Sequence, residues 1–190
     1  MAPLLSQAAD SLTRLGMVAR WRPVHLGHAP ILRALCRRAE TALLGIGSAN
    51  RYNLRNPFTL AETLDMLRLV LADQANYTLI PVPDLDDGPR WRAMMLDLFG
   101  PLEGFVTDNP YVAGLLKDDY RLVRPVELVS PAERVPIDGT LVRRQIACGD
   151  GWRELVPPEI AAYIMENRLD ERFRREFGLQ TLALETIIRR

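Results

Sequence analysis

The stretch Leu15-Gly-Met-Val-Ala19-Arg20-Trp21-Arg-Pro-Val-His25-Leu-Gly27-His28-Ala-Pro30 decides how this chain is read. Leu15 to Ala19 is a short apolar run that fits a buried strand. Ala29 to Ala39 carries a helical pattern, with Pro30 in the first turn, where a missing N–H costs nothing. Thr41 to Gly47 is apolar again and fits a second buried strand. The loop between the first strand and the helix holds both histidines of the chain, His25 and His28. In an open α/β sheet, ligands bind outside the carboxyl ends of the strands. A helix N-terminus at that place offers free N–H groups and a positive dipole end to an anion. Two imidazoles, a glycine that permits close approach and the neighbouring Arg20 therefore read as a phosphate site. The competing reading is a pair that only caps the helix or holds the turn. A zinc site is disfavoured, because the HExxH pattern is absent and neither cysteine is spaced to join the pair. No metal-ligating side chains are expected.

Working outward, apolar runs continue to alternate with helical patterns. Ser48 to Asn56 is a polar loop. Thr59-Leu-Ala-Glu62 has capping-box spacing and opens a helix to about Ala72. Tyr77 to Val82 is β-rich and ends at Pro83. Pro89 opens a helix through Phe99, and Gly104 to Thr107 is a short strand. Asp108 or Asn109 caps a helix that begins at Pro110. Arg121 to Val126 is a fifth strand. Asp138 or Gly139 starts a helix ending at Gly149, and Pro158 to Asn167 and Asp170 to Phe177 form C-terminal helices. Strands alternating with helices imply a parallel sheet covered on both faces. The expectation is a Rossmann-like three-layer α/β domain over residues 15–150, with about five strands. Residues 1–14 are expected as an N-terminal extension and 151–190 as a helical segment packed on the same domain. Residues 1–14 and 180–190 are the expected ragged ends.

Composition narrows the function. Of 190 residues, 48% are hydrophobic and 25% charged, which excludes disorder of the whole chain. Basic and acidic residues number 24 each, so the net charge is zero. That balance argues against a bulk electrostatic grip on nucleic acid or an anionic membrane. Lys117 is the only lysine, and it is followed by Asp118 and Asp119, so no Gly-Lys-Ser/Thr step of a P-loop exists. A phosphate held by a side chain is then held by arginine, whose planar fork suits phosphate oxygens. Cys36 and Cys148 form neither a CxxC pair nor a secretory framework. No apolar run approaches the roughly 18 residues of a membrane span. These features point to a cytoplasmic protein.

His25-Leu-Gly-His28 after a first strand resembles the HxGH signature of the nucleotidyltransferase superfamily. Within it, the chain is similar to the archaeal-type nicotinamide mononucleotide (NMN) adenylyltransferases from about Gly16 to Ile164. The motifs fall in order: Arg20 to His28, Gly45-Ile-Gly-Ser-Ala-Asn50, Arg55-Asn-Pro-Phe-Thr59, Ile80-Pro-Val-Pro-Asp84, Trp91, Thr107-Asp-Asn-Pro110, Gly139-Thr-Leu-Val-Arg-Arg144 and Trp152-Arg-Glu-Leu-Val-Pro157. The resemblance implies adenylyl transfer from ATP, with magnesium, to the phosphate of NMN, giving NAD and pyrophosphate. It also implies a homo-oligomer. It assigns His25, His28, Arg20, Thr140 and Arg143 to the ATP phosphates. Trp21 and Gly27 belong to the same ATP loop, and Asn109 lies near the adenine. Arg55 matches the arginine on the NMN phosphate, and Trp91 the aromatic that stacks on the nicotinamide ring. Gly47, Ser48 and Asp84 line the mononucleotide side.

Alternatives attach to several of these residues. Trp91 could be core, Arg55 a solvated loop charge, Asp84 a turn residue and Asn109 a helix cap alone. Four positions also depart from the family pattern. Ala19 replaces a glycine, Arg22 a glutamine and Asp138 a serine. Gly88 stands where relatives carry an asparagine that reads the nicotinamide amide, so that side-chain contact is lost. The second readings are a related enzyme with another phosphorylated acceptor or with CTP, and a nucleotide-binding regulator with little catalysis.

Overall fold

The computed structural model describes residues 12–188. Five strands form one sheet: β1 (Leu12–Ala19), β2 (Ala39–Gly47), β3 (Tyr77–Val82), β4 (Gly104–Val106) and β5 (Leu122–Val123). Their order across the sheet is β3-β2-β1-β4-β5, and every pairing is parallel. The crossovers are α1 (Ala29–Arg38), α2 (Leu60–Val70), α3 (Gly88–Phe99) and α4 (Pro110–Leu116). After β5 come α5 (Pro125–Leu128), α6 (Gly139–Cys148), α7 (Pro158–Glu166), α8 (Leu169–Phe173) and α9 (Leu179–Ile188). The three-layer α/β fold is as the alternating pattern implied. No helix among the described residues is long and apolar enough to cross a membrane.

Side chains of a strand alternate between the two faces, and the core divides accordingly. Ala42, Leu44 and Ile46 of β2 join the core under α1, α2, α6 and α7. Leu43, from the same strand, joins Val82, Met95, Phe99 and Phe105 on the opposite face. That second face depends on two glycines. A Cβ on Gly16 would lie 3.0 Å from the Phe99 ring, and one on Gly45 would lie 3.0 Å from it as well. Their bare backbones let Phe99 of α3 rest directly on the sheet. Pro81 is tolerated in β3 because β3 is an edge strand.

Local chemistry explains the element ends. The Thr59 hydroxyl accepts from the Glu62 N–H and the Glu62 carboxylate accepts from the Thr59 N–H, completing the expected capping box. Arg172 of α8 meets the same carboxylate with two bonds of 2.5 and 2.7 Å, and donates to the Pro57 carbonyl. Ile160, Ile164, Leu169 and Phe173 lie in the core beside α2 and α6.

Four expectations are corrected. β1 starts at Leu12, where it pairs with Ala39, so Leu12 to Arg14 are strand rather than extension. Residues 1–11 lie outside the described residues. β4 stops at Val106, and the Thr107 hydroxyl instead accepts from the Asn109 N–H. β5 is only Leu122–Val123, because Pro125 lacks an N–H and begins α5. Residues 170–177 are not one α-helix: α8 passes into a wider π-type turn, Arg174–Gly178, and then into α9, where a ragged end was expected.

Candidate active site

The site begins where the chain changes direction. β1 connects to β2 on one side, while β4, its other neighbour, connects to β5 on the far side. A crevice opens at their carboxyl ends, the usual place for a ligand in an open α/β sheet. The loop from Arg20 to His28 runs along it. Trp21 takes a left-handed backbone (φ 55°) and buries its ring, and its indole N–H donates to the Gly45 carbonyl at 2.8 Å. Arg22 is 2% exposed. Its Nε donates to the Thr63 hydroxyl, and its Nη1 to the carbonyls of Ser48 and Arg51 at 3.0 and 3.2 Å. These bonds tie the loop to β2, to the following loop and to α2.

The two histidines form a unit. Their rings stack with centroids 3.5 Å apart, and Trp21 meets His28 edge-on at 4.9 Å. The Gly27 N–H donates to Nδ1 of His25 at 3.2 Å, which places the proton of neutral His25 on Nε2. Burial lowers the His25 pKa to about 4, with Asp138 opposing and Arg143 assisting. Burial, then the neighbouring His25, holds His28 well below its ordinary value. Both imidazoles are therefore neutral at pH 7. Nδ1 of His28 is buried without a partner.

Gly27 is explained by what lies over it. A Cβ there would sit 2.6 Å from the Ile137 carbonyl and 3.1 Å from the His25 ring. The bare glycine lets the segment before α6 close on the first loop. That closure brings the α6 N-terminus to the site. Asp138 caps it, accepting from the Leu141 N–H at 2.8 Å. Arg143, one turn on, donates to the Arg22 carbonyl and to the Thr140 hydroxyl, each at 3.2 Å. Burial, then Arg20, lowers its pKa, yet arginine remains charged at any ordinary pH. Arg20, Trp21, Arg22, His28, Asp138, Thr140 and Arg143 surround a cavity of about 260 Å³.

A second cavity of about 390 Å³ lies on the other side of Arg20, which lines both. Its walls include Ala19, Gly47, Ser48, Asp84, Asp86, Asp87, Trp91, Asn109 and Tyr111. Its rim is cross-tied. Asn50 and Asp84 exchange two hydrogen bonds, at 2.8 and 3.0 Å. Arg51 pairs with Asp84 at 3.7 Å and more closely with Asp86. Trp91 packs on the Phe99 side of the core while also lining this cavity.

The structure therefore gathers the expected residues into two groups. Arg20, Trp21, His28, Thr140 and Arg143 line the smaller cavity. Gly47, Ser48, Asp84, Trp91 and Asn109 line the larger one. Three expected residues line neither. His25, 3% exposed, stands behind His28 and supports it. Gly27 acts through the closure just described. Arg55 is exposed on a tight turn in which the Asn53 side chain accepts its backbone N–H, and its charge reaches Arg143. Trp21 presents a packed ring, with its N–H already engaged. The Asn109 carboxamide oxygen caps α4, accepting from Tyr111 and Val112. Ala19, which replaces the family's glycine, borders the larger cavity. Sequence reading missed Tyr111, whose only signal was its place just after the helix-opening Pro110. Among the described residues, no group of three His, Cys, Asp or Glu side chains is placed to hold a metal ion.

No protein-family model matches the chain. It is 33% identical over 171 residues to the nicotinamide-nucleotide adenylyltransferase of Aeropyrum pernix, covering 86% of this chain and 97% of that protein. It is 31% identical over 168 residues to that of Methanococcus vannielii, covering 84% and 96%. The fold resembles a bifunctional NMN adenylyltransferase/ADP ribose pyrophosphatase from Francisella tularensis, solved with AMP and a manganese ion. The TM-score is 0.72 at 14% identity, over 94% of this chain and 56% of that one. A nicotinic acid mononucleotide adenylyltransferase of Plasmodium falciparum matches with a TM-score of 0.57 at 10% identity, over 84% and 98%. With about a third of its residues shared along nearly the full length of these archaeal relatives, the chain belongs to the nicotinamide-nucleotide adenylyltransferases.

Proposed function

We propose that this protein transfers the adenylyl group of ATP to the phosphate of NMN, forming NAD and pyrophosphate. The observation that carries the reading is the pair of cavities meeting at Arg20: one is cationic and helix-ended, the other half-apolar with an aromatic wall. A triphosphate suits the first, and a nucleoside with a flat ring suits the second.

In this reading an NMN phosphate oxygen attacks the α-phosphorus of ATP. The new O–P bond forms as the bond to the β-phosphate oxygen breaks, and the electron pair leaves with pyrophosphate. The attacking phosphate is already anionic, so no strong base is required. Catalysis is then positioning and charge stabilisation. Arg20, Thr140 and Arg143 hold the phosphates, with free N–H groups at the start of α6 beside them. His28, backed by His25, Gly27 and Trp21, gives a neutral hydrogen-bonding imidazole where charge develops. Gly47, Ser48, Asp84 and Trp91 receive the mononucleotide, Arg55 reaches its phosphate and Asn109 borders the adenine. Asp138 is the one carboxylate lining the smaller cavity, and its capping bond occupies one oxygen. That lining suits a magnesium ion carried on ATP's own oxygens, which neutralises phosphate charge. A cytoplasmic homo-oligomer without nucleic-acid or membrane partners completes the proposal. Within it, residues 12–150 carry the activity and 151–188 buttress it.

The test is to supply ATP and magnesium with NMN and to identify the product by mass. NMN-dependent NAD with equimolar pyrophosphate is expected. Turnover only with another phosphorylated acceptor, or only with CTP, would overturn the assignment.

A further inference from the structure

Tyr111 stands in the first turn of α4 and lines the larger cavity with its phenol 65% exposed. Its backbone is fixed, since its N–H donates to Asn109 Oδ1 at 3.0 Å. A Cβ built on Gly88 would lie 2.7 Å from the Tyr111 hydroxyl oxygen and 3.3 Å from Leu115. The phenol thus reaches the space that any side chain at position 88 would enter. Gly88 opens α3, three residues before Trp91, so the two positions share a helix face. A hydroxyl therefore borders the same cavity as the aromatic wall. That hydroxyl both donates and accepts, as a carboxamide does. Arg51 pairs with Asp84 and Asp86 at the rim, so the carboxylate next to position 88 is Asp87. Arg20 is the one cation among the described residues of the cavity lining, which disfavours a carboxylate at that place.

We propose that the Tyr111 hydroxyl reads the uncharged carboxamide on the acceptor's ring, and that position 88 is glycine in this chain to admit the phenol. This rests on the function proposed above. The assay compares NMN with a pyridine mononucleotide lacking the ring substituent, at saturating ATP. Tyr111→Phe should raise KM for NMN about fivefold to tenfold, the size of one lost hydrogen bond. The effect should fall on KM more than on kcat, with the ATP KM and the unsubstituted acceptor unaffected. Gly88→Ala, which pushes the phenol aside, should reproduce the pattern. A wild-type KM for NMN in Tyr111→Phe, or an equal loss with both acceptors, would overturn the assignment. Failure of the wild-type protein to make NAD from NMN would be seen before any variant is tested. It would remove the underlying reading together with this one.

Discussion

The two cavities that meet at Arg20 are built differently. Around the smaller one the framework is buried and internally bonded: His25 under His28, Trp21 on Gly45, Arg22 on Thr63 and Ser48, and Arg143 on the Arg22 carbonyl. Around the larger one the residues come from separate elements (β2, the loop after β3, α3 and α4), and its rim is joined by the Asn50–Asp84 exchange and by the Arg51 ion pairs. The contrast follows from the tasks assigned to the two sides. Stabilising charge in a transition state requires fixed dipoles. Recognising an acceptor requires a surface whose contacts can vary, and Gly88 with Tyr111 is such a variation.

The sharpest way to break the comparison is His28→Ala. If the buried unit supplies catalysis, kcat should fall roughly a hundredfold to a thousandfold, as when one preorganised donor is lost. Circular dichroism should show an intact fold, because the His28 ring borders the smaller cavity and is not part of the hydrophobic core. Near-wild-type turnover would sever the histidine pair from the chemistry.

A second effect sharpens the comparison through pH. The native His25 titrates near 4 against an ordinary value of 6.5. Between these values the unfolded chain binds a proton that the native chain refuses. Stability is therefore complete above about pH 6.5 and declines as pH falls towards 4, by up to roughly 1.4 kcal/mol per pH unit for each such histidine. Urea titrations across that range should show the slope, and His25→Asn should reduce it, leaving the part that His28 contributes. Over the same logic, kcat should stay level from pH 6.5 to 8, because neither imidazole loses a proton there.

The smallest effect belongs to the exposed rim. Arg51→Ala removes partly exposed ion pairs, each worth little. KM for NMN should rise about threefold while the ATP KM stays fixed. Initial-rate measurements with each substrate varied in turn would reveal any spill-over to the phosphate side.

The difference between the two sides also governs what was legible in the sequence. The phosphate side lies largely in two contiguous segments, Arg20 to His28 and Asp138 to Arg143, so its spacing could be read directly. Capping chemistry was equally local: Thr59 with Glu62, Asn109 and Asp138 all cap as their neighbours suggested. The acceptor side is assembled from β2, the loop after β3, α3 and α4. Tyr111 meets Gly88 only because α4 packs beside α3, a contact that no local spacing encodes. The spacing shows Gly27 as a point of close approach but not that the Ile137 carbonyl, 110 positions on, is what lies over it. The length of β5 was overestimated because Val126 continues the apolar pattern past Pro125, which ends the strand.

Calorimetric titration of ATP and of NMN, separately, into wild-type protein and Trp91→Ala tests the division of labour most directly. The account predicts that NMN binding weakens about tenfold with the loss of a stacking wall, while ATP binding is unchanged. Equal weakening of both ligands, or weakening of ATP alone, would contradict the placing of Trp91 against the acceptor.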